Sequence, residues 1–332
     1  NITNSINELW SSSLNLNLSK DKIDQNNSAD FNHSTKLSLE WQNTFRWNPF
    51  NELIIGYIHE EEDFDASNYG LLVDTNLSSD AVYLENLTIL EKHQLLMAVR
   101  LNNKEKIQDQ ATWNLEYGYK VNTNIKFIAN LGKAIRDPSN FDLYGFGGNQ
   151  TLIPEVSNSK SIGIQYSPEG SSRIELRFYE NKINELIAFN YFDYKLYNIE
   201  EALIQGFDLV FSALIMEWEF NFNATLQEAD NLTNQNRLLR RPKSSIGMGL
   251  RRSFGKLDLN LNMAKNSSRI DFGDVKLHPY LIGNIVMRYR MNDRLSFKVA
   301  LNNFTDEEYT LANGYKTETR KIFVGFNYRP SL

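Results

Sequence analysis

Residue types that catalyse reactions or bind metals are few in this sequence, and they stand apart from one another. The 332 residues include no cysteine, which excludes disulfides, thiolate metal ligands and cysteine nucleophiles. The four histidines are too widely separated to give the short spacing of a metal-binding motif. They are His33, His59, His93 and His278. The sequence therefore predicts neither an enzyme nor a protein with a bound cofactor or metal.

Two short segments could nevertheless bind ions. The acidic run at 60–63, extended by Asp65, could hold a divalent cation or contact cation-bridged lipopolysaccharide, but a solvated loop edge is the better explanation. Gly145, Gly147 and Gly148 resemble a phosphate-binding loop, yet no helix is predicted to follow them and supply its N-terminus. We therefore expect a flexible loop at these glycines.

Arginine and aromatic residues in the polar segments are stronger candidates for ligand binding. Three arginines end the segment 229–242, namely Arg237, Arg240 and Arg241. Their guanidinium groups could hydrogen-bond amide or phosphate oxygens of a ligand, or they could balance the charge of acidic loops. Aromatic rings in other polar segments could stack on a planar ligand. These residues are Tyr144, Phe146, Phe272 and Tyr315.

The segments between these candidates alternate strictly between apolar and polar residues. Leu257, Leu259 and Leu261, for example, are separated by Asp258 and Asn260. A period of two residues is typical of a β-strand with two different faces, so the sequence predicts an all-β protein of about sixteen strands. The predicted strands are 7–20, 33–47, 51–63, 79–90, 93–103, 111–121, 125–136, 159–169, 172–189, 199–214, 216–228, 243–254, 256–266, 278–291, 295–304 and 318–329.

Short and long connections are predicted to alternate between these strands. The short turns are 48–50, 122–124, 169–171, 255 and 292–293, and the long polar loops are 21–32, 64–78, 104–110, 137–158, 229–242, 267–277 and 305–317. Tight turns at one end and long loops at the other are typical of an antiparallel β-barrel that spans an outer membrane.

A soluble β-sandwich would show the same alternation, but strand length and the polar face favour the membrane. The predicted strands have about ten residues or more, as a tilted strand needs to cross a bilayer, whereas strands of globular proteins have about five or six. The polar face carries groups such as Glu219, Arg288 and Lys298, which a dry sandwich core would exclude. The net charge of -6 and the sequence pI near 5.4 argue against binding to nucleic acid.

Two segments resemble TonB-dependent receptors of the bacterial outer membrane. An Arg-Asp-Pro sequence at 136–138 precedes an aromatic and glycine-rich stretch at 143–149 and a Leu-x-Pro-Glu-x-Ser sequence at 152–157, which is similar to a long-loop motif of this family. The sequence Leu-Asn-Asn-Phe at 301–304, followed by Gly-Tyr at 314–315, resembles the family's penultimate strand and final loop.

The likeness is greatest to the vitamin B12 (cobalamin) receptor branch and extends over roughly 111–329, including the Leu-Leu-Arg-Arg sequence at 238–241. In that branch the first arginine of this motif and the tyrosine of the final-loop Gly-Tyr line the substrate pocket. The resemblance therefore implies ligand contacts for Arg240 and Tyr315 and, with a looser alignment, for Phe272. Gly147 departs from the pattern, because the receptor carries an aromatic residue there.

The resemblance also implies an architecture and a function. The family has a barrel of twenty-two strands and an N-terminal plug domain that TonB contacts, so residues 1–332 are expected to form a single, N-terminally incomplete barrel domain without the plug. We expect an outer-membrane receptor for TonB-dependent uptake of cobalamin or another corrinoid, or otherwise of an iron-siderophore, in contact with outer-membrane lipid and lipopolysaccharide. The alternative is a self-contained porin of sixteen strands for passive diffusion of small solutes.

Overall fold

The computed structural model describes residues 1–105, 107–168 and 171–330, and these residues fold almost entirely into β-strands. The chain forms two compact units. The first comprises Asn1–Tyr119, Ile128–Lys160 and Asn181–Ala202, and the second comprises Lys120–Phe127, Ser161–Glu180 and the described chain from Leu203 onward. No helix among the described residues is long and apolar enough to cross a membrane.

All sixteen predicted strands are present, and four short strands add to them. The strands are β1 (Ile2–Ser5), β2 (Trp10–Asp24), β3 (Phe31–Asn48), β4 (Asn51–Asn68), β5 (Leu71–Leu90), β6 (His93–Lys104), β7 (Ile107–Lys120), β8 (Ile125–Arg136), β9 (Glu155–Tyr166), β10 (Arg173–Asn190), β11 (Lys195–Ile215), β12 (Trp218–Asn231), β13 (Asn236–Arg237), β14 (Ser244–Phe254), β15 (Leu257–Asn266), β16 (Arg269–Asp271), β17 (Val275–Leu277), β18 (Tyr280–Arg290), β19 (Leu295–Asn302) and β20 (Lys321–Tyr328). One short helix, α1 (Asn140–Tyr144), and a 3-10 turn (Phe272–Asp274) complete the described elements.

Antiparallel ladders join the strands within each unit. In the first unit every strand from β1 to β7 pairs with the next along the chain. In the second unit β12 pairs with β14, and the ladder continues through β15, β18, β19 and β20, while β16 and β17 form a separate hairpin. Because neighbours in sequence are neighbours in the ladder, successive connections lie at opposite strand ends.

Large apolar side chains lie on the exposed face of these ladders. In the first unit Leu16 and Leu18 are each 63% exposed, and in the second unit Val324 is 76% exposed. The buried hydrophobic residues are fewer and mostly small, for example Ala81 and Ala300. A soluble sandwich would bury its apolar face, so the exposed face confirms the predicted orientation of the oily side chains and marks a surface suited to lipid.

The exposed face of β4 changes character along the strand. Ile55 and Tyr57 are exposed on it, and at the same parity they are followed by His59, Glu61 and Asp63. The acidic run predicted as a loop edge is thus part of a strand, and its carboxylates alternate between two faces. Side chains on opposite faces cannot converge on one ion. Among the described residues no group of three or more histidine, aspartate or glutamate side chains is arranged to hold a metal ion.

Two predicted long loops are wrong. β4 and β5 continue through 64–78 and are joined by Tyr69 and Gly70, which have φ angles of 51° and 83°. Positive φ at both central residues is what a two-residue hairpin turn of the right twist requires. Likewise β6 and β7 leave a gap of only two residues at 105–106 where a loop at 104–110 was predicted, although Lys106 lies outside the described residues. Strands with polar residues on both faces resemble loops in composition, which explains both errors.

The predicted short turns agree with the structure where it describes them. Pro49 and Phe50 join β3 to β4, and Gly255 adopts a φ of 59° between β14 and β15. The turns at 122–124 and 292–293 are also present. The predicted turn at 169–171 includes Glu169 and Gly170, which lie outside the described residues.

Candidate functional site

The connection 139–154 of the first unit follows an arginine that anchors its start. Helix α1 begins with a capping box in which Ser139 and Asp142 exchange side-chain and backbone hydrogen bonds. Arg136 donates to Asp142 and to Glu155, each at 2.8 Å. Glu155 also accepts the backbone N–H of Ile187 at 2.9 Å. One guanidinium thus fixes both ends of the connection between β8 and β9.

This connection presents Tyr144 and Phe146, two of the residues predicted to bind ligand. Tyr144 lines a cavity of about 470 Å³, together with Gln150, Lys195 and Tyr197. Phe146 is 44% exposed, and its ring lies with the rings of neighbouring segments. Its centroid is 5.6 Å from that of Tyr69, 6.1 Å from that of Phe189 and 6.4 Å from that of Tyr194. The arrangement offers aromatic surface beside a cavity that both polar and apolar residues line.

Gly147 has a structural reason for departing from the aromatic residue of the receptor pattern. Its φ is 69°, and a Cβ atom built on it would lie 2.4 Å from the carbonyl oxygen of Tyr194. The carbonyl oxygen of Gly147 accepts a hydrogen bond of 2.8 Å from the backbone N–H of Leu196. The approach of these two backbones leaves room only for glycine. The glycines at 145–148 follow α1, and the next element along the chain is the strand β9.

Three connections of the second unit meet at a carboxylate that the sequence did not single out. Asp271 has no exposed side-chain surface, and it lies at the end of β16, in the connection 267–279. It accepts the Nε–H of Arg240, from the connection 232–243, at 2.7 Å. It also accepts the backbone N–H of Phe272 at 2.8 Å and that of Asn313, from the connection 303–320, at 2.6 Å.

These contacts determine the charge of Asp271. Burial raises the pKa of the carboxyl, but the hydrogen bonds from Asn313, Arg240 and Phe272 outweigh it and hold the pKa below its usual value of 3.8. A buried carboxylate that accepts several donors is stabilised in its charged form. Asp271 is therefore ionised at neutral pH, and it pairs with a side chain that the sequence predicted to contact ligand.

Arg269, two residues before Asp271, ties the same connections together. Its side chain is buried, donates to the carbonyl oxygen of Thr310 at 2.6 Å and lies over the ring of Tyr280 at 5.2 Å. The Tyr280 ring in turn lies 4.8 Å from that of Tyr309. Neither Arg269 nor Asp271 belongs to a motif visible in one sequence. The only available signal was an arginine and an aspartate in a segment otherwise predicted to be a solvated loop.

Two of the predicted residues, Arg240 and Phe272, therefore bond Asp271, and Tyr315 lies on a connection that also bonds it. Arg240 has a φ of 59°, and its own N–H donates to the carbonyl oxygen of Ile270 at 2.8 Å. Phe272 follows Asp271 directly, and Tyr315, which is 74% exposed, lies two residues beyond Asn313. Tyr144 and Phe146 belong to the first unit. Guanidinium and aromatic groups can bind and orient a ligand by hydrogen bonding and stacking.

Comparison with known proteins identifies the fold. The family described as TonB dependent receptor-like, beta-barrel matches residues 2–304. The vitamin B12 transporter BtuB of Photobacterium profundum is 24% identical over 333 residues, which cover 94% of this chain and 54% of that protein. This chain thus spans about half the length of that curated relative.

Solved structures of similar fold come from several receptors. The ferric enterobactin receptor PfeA of Pseudomonas aeruginosa superposes with a TM-score of 0.79 at 16% identity, covering 97% of this chain and 59% of the receptor. The copper transporter OprC superposes with a TM-score of 0.80 at 15% identity, covering 97% of this chain and 63% of OprC. Identities this low show the fold alone.

Family, fold and location now agree with the resemblance seen in the sequence. The fold is all-β and is that of a transmembrane antiparallel β-barrel. Proteins of this family are receptors and transporters, not enzymes, and they lie in the bacterial outer membrane. The chain belongs to the TonB-dependent receptor β-barrel family.

Proposed function

We propose that this chain is part of an outer-membrane receptor for active uptake of cobalamin or another corrinoid, powered through TonB. Support comes from the B12 transporter, whose similarity extends over 94% of this chain. Further support comes from the position of the residues that the resemblance selects. Arg240, Phe272 and Tyr315 lie on three connections of the second unit that share the carboxylate of Asp271.

The chemistry of these residues suits a corrinoid. A corrinoid presents a flat ring edged with amide groups, and the cobalamin side chain adds a phosphate. The guanidinium of Arg240 can donate hydrogen bonds to amide or phosphate oxygens, and exposed rings such as that of Tyr315 can cover a planar face. Residues 1–332 would form one barrel domain of the receptor, and TonB would act through an N-terminal plug domain.

An iron-siderophore is the second candidate ligand, and one observation favours it. The exposed rings of Tyr69, Phe146 and Tyr194 cluster in the first unit, and planar aromatic groups of a siderophore could stack on them. The porin alternative loses its support, because the family that matches is one of receptors.

Uptake by a deletion strain distinguishes these ligands. The strain would carry the complete receptor gene and grow on limiting vitamin B12 or on limiting iron. Growth restored only on limiting B12 supports the corrinoid, growth restored only on limiting iron supports the siderophore, and growth restored on neither contradicts both.

Binding of labelled cyanocobalamin to outer-membrane vesicles tests the pocket. A variant with Arg240→Ala and Tyr315→Ala should bind roughly tenfold more weakly or worse, since aromatic and arginine anchors dominate most binding sites. Arg241→Ala with Lys316→Ala is the matched control, because both residues lie beside the pair and are exposed. Equal affinity of the two double variants would remove the pocket assignment.

A further inference from the structure

Asp271 receives hydrogen bonds from segments that are remote in sequence. Only the bond from Phe272 is local. Arg240 and Asn313 are 31 and 42 residues away along the chain, on two other connections. A carboxylate that merely capped its own hairpin would need the local bond alone. The two remote bonds instead join three separate connections at one buried group.

The two carboxylate oxygens of Asp271 accept hydrogen bonds from different connections. Oδ1 accepts the Nε–H of Arg240 and the N–H of Phe272, at 2.7 and 2.8 Å, whereas Oδ2 accepts the N–H of Asn313 at 2.6 Å. All three of these partners are N–H donors, so both oxygen atoms must be acceptors. An amide at this position would direct an NH₂ group against one of these donors. The carboxylate is therefore required on chemical grounds beyond its size.

We propose that Asp271 couples the connections 232–243, 267–279 and 303–320 into one ligand-gripping unit. It is a positioning residue: it orients Arg240 and Phe272 directly, and it fixes through Asn313 the segment that carries Tyr315. The identity of the ligand that these connections bind rests on the proposed function, but the coupling of the connections is a property of the unliganded receptor. Ligand binding then engages a pre-organised set of side chains, which lowers the entropy lost on association.

Distances between the connections test the coupling without any ligand. Residues 1–332 include no cysteine, so within them Asn234→Cys with Lys316→Cys places spin labels only on 232–243 and 303–320. In outer-membrane vesicles the parent should give one narrow distance distribution. Asp271→Asn should make the distribution roughly twofold broader, because each connection then fluctuates independently.

Asp274→Asn is the matched control for this measurement. Asp274 lies three residues away in the same hairpin, and its φ of 57° is one that asparagine tolerates. It should leave the distribution narrow. Retained strand content by circular dichroism verifies the fold of each variant. Should Asp271→Asn fail to fold, Arg240→Gln breaks the remote bond from the other side and should broaden the same distribution.

Cyanocobalamin binding then tests the consequence for the grip. Asp271→Asn should weaken binding roughly tenfold, and adding Tyr315→Ala to it should weaken binding little further, because Tyr315 is already misplaced. Tyr315 does not hydrogen-bond Asp271 in the described structure, so such non-additivity reports positioning through the connection. Fully additive losses would contradict this route.

The outcomes separate the coupling from the ligand. A narrow distribution in a folded Asp271→Asn variant overturns the coupling, whatever the receptor transports. Broadening in that variant, in a receptor whose parent does not bind cyanocobalamin, supports the coupling and rejects cobalamin as the ligand.

Discussion

The two connection clusters that carry the predicted ligand residues are held by opposite arrangements of charge. In the first unit the centre is an arginine: Arg136 is 50% exposed and bridges Asp142 and Glu155. In the second unit the centre is a carboxylate: Asp271 is fully buried and receives the guanidinium of Arg240. Water can replace the partners of an exposed arginine, whereas a buried carboxylate depends on the donors that the protein provides.

This difference predicts different mechanical behaviour. The first cluster combines a half-exposed arginine with exposed rings such as those of Tyr69 and Phe146, so its surface can adapt to a ligand. The second combines a buried network with the exposed ring of Tyr315, so its frame should stay fixed while only the ring moves. Adaptable capture in one cluster and a pre-formed grip in the other would both serve binding of a large, scarce ligand.

Removing Arg240 should have the largest effect. Arg240→Ala leaves the charge of Asp271 buried with its two backbone donors only, and we expect a local loss of about 3 kcal/mol, or roughly a hundredfold faster amide exchange in 303–320. Hydrogen exchange with mass spectrometry measures this effect. Arg241→Ala, one residue away and exposed, is the control and should leave exchange unchanged. Equal exchange in the two variants would mean that the ion pair does not hold the second cluster.

A pair of glycine substitutions compares steric constraint in the two clusters. Gly147→Ala places a Cβ atom 2.4 Å from the carbonyl oxygen of Tyr194 at a positive φ, so about 2 kcal/mol should be lost and Phe146 displaced. Gly273→Ala has a similar φ of 71° but meets nothing within 4 Å, and about 1 kcal/mol should be lost. Thermal unfolding of both variants in detergent gives the comparison. A larger loss at Gly273 would contradict the close approach of the backbones.

Removing Arg136 should have a smaller effect than removing Arg240. Asp142 and Glu155 keep the backbone donors of Ser139 and Ile187, and water can enter the half-exposed position of the guanidinium, so Arg136→Ala should cost about 1 kcal/mol. Exchange of amides in 139–154 should rise severalfold, while exchange in 267–279 stays unchanged. An effect on 139–154 as large as that of Arg240→Ala on 303–320 would show that burial does not distinguish the clusters.

Acidification to pH 5 should have the smallest effect. The folded pKa of Asp271 lies below its usual value of 3.8, so the stability that this group contributes is present above that value and is lost as the pH falls through the folded pKa. The distance distribution between labels on 232–243 and 303–320 should therefore be the same at pH 7.5 and pH 5, and it should broaden only below about pH 4. Broadening between pH 7.5 and pH 5 would show that the carboxyl is not held in its charged form.

The strands could be predicted from sequence because their physics is local. A bilayer requires alternate side chains to be apolar, and that requirement leaves a period of two residues in strands such as β15. Beyond the apolar part of a strand this requirement ends, and the alternation of apolar and polar residues disappears from the sequence, as in 64–78 of β4 and β5. There the strands are maintained by backbone pairing, by side-chain hydrogen bonds such as that from Asn76 to Asp63, and by burial of Phe64 and Leu77.

The residues of the candidate site also differ in whether local sequence could predict them. Arg240 and Tyr315 were accessible through short motifs that resemble those of a family. Asp271 was not, because its importance arises from donors that are 31 and 42 residues away and from complete burial. Gly147 is intermediate: glycine suggested a special backbone, but the carbonyl oxygen of Tyr194 that excludes a side chain became visible only in three dimensions.

Along the exposed face of β4 the side chains change from aromatic at Tyr57 to ionisable at His59 and Glu61, and this change sets how deeply the strand lies in a bilayer. Two residues of a strand span about 6.8 Å, so sinking by that distance would carry ionisable groups into acyl chains, and rising by it would lift apolar side chains into water. Both displacements raise the free energy of the protein in the bilayer. The height at which the connection between β4 and β5 stands above the lipid is consequently set by β4 itself.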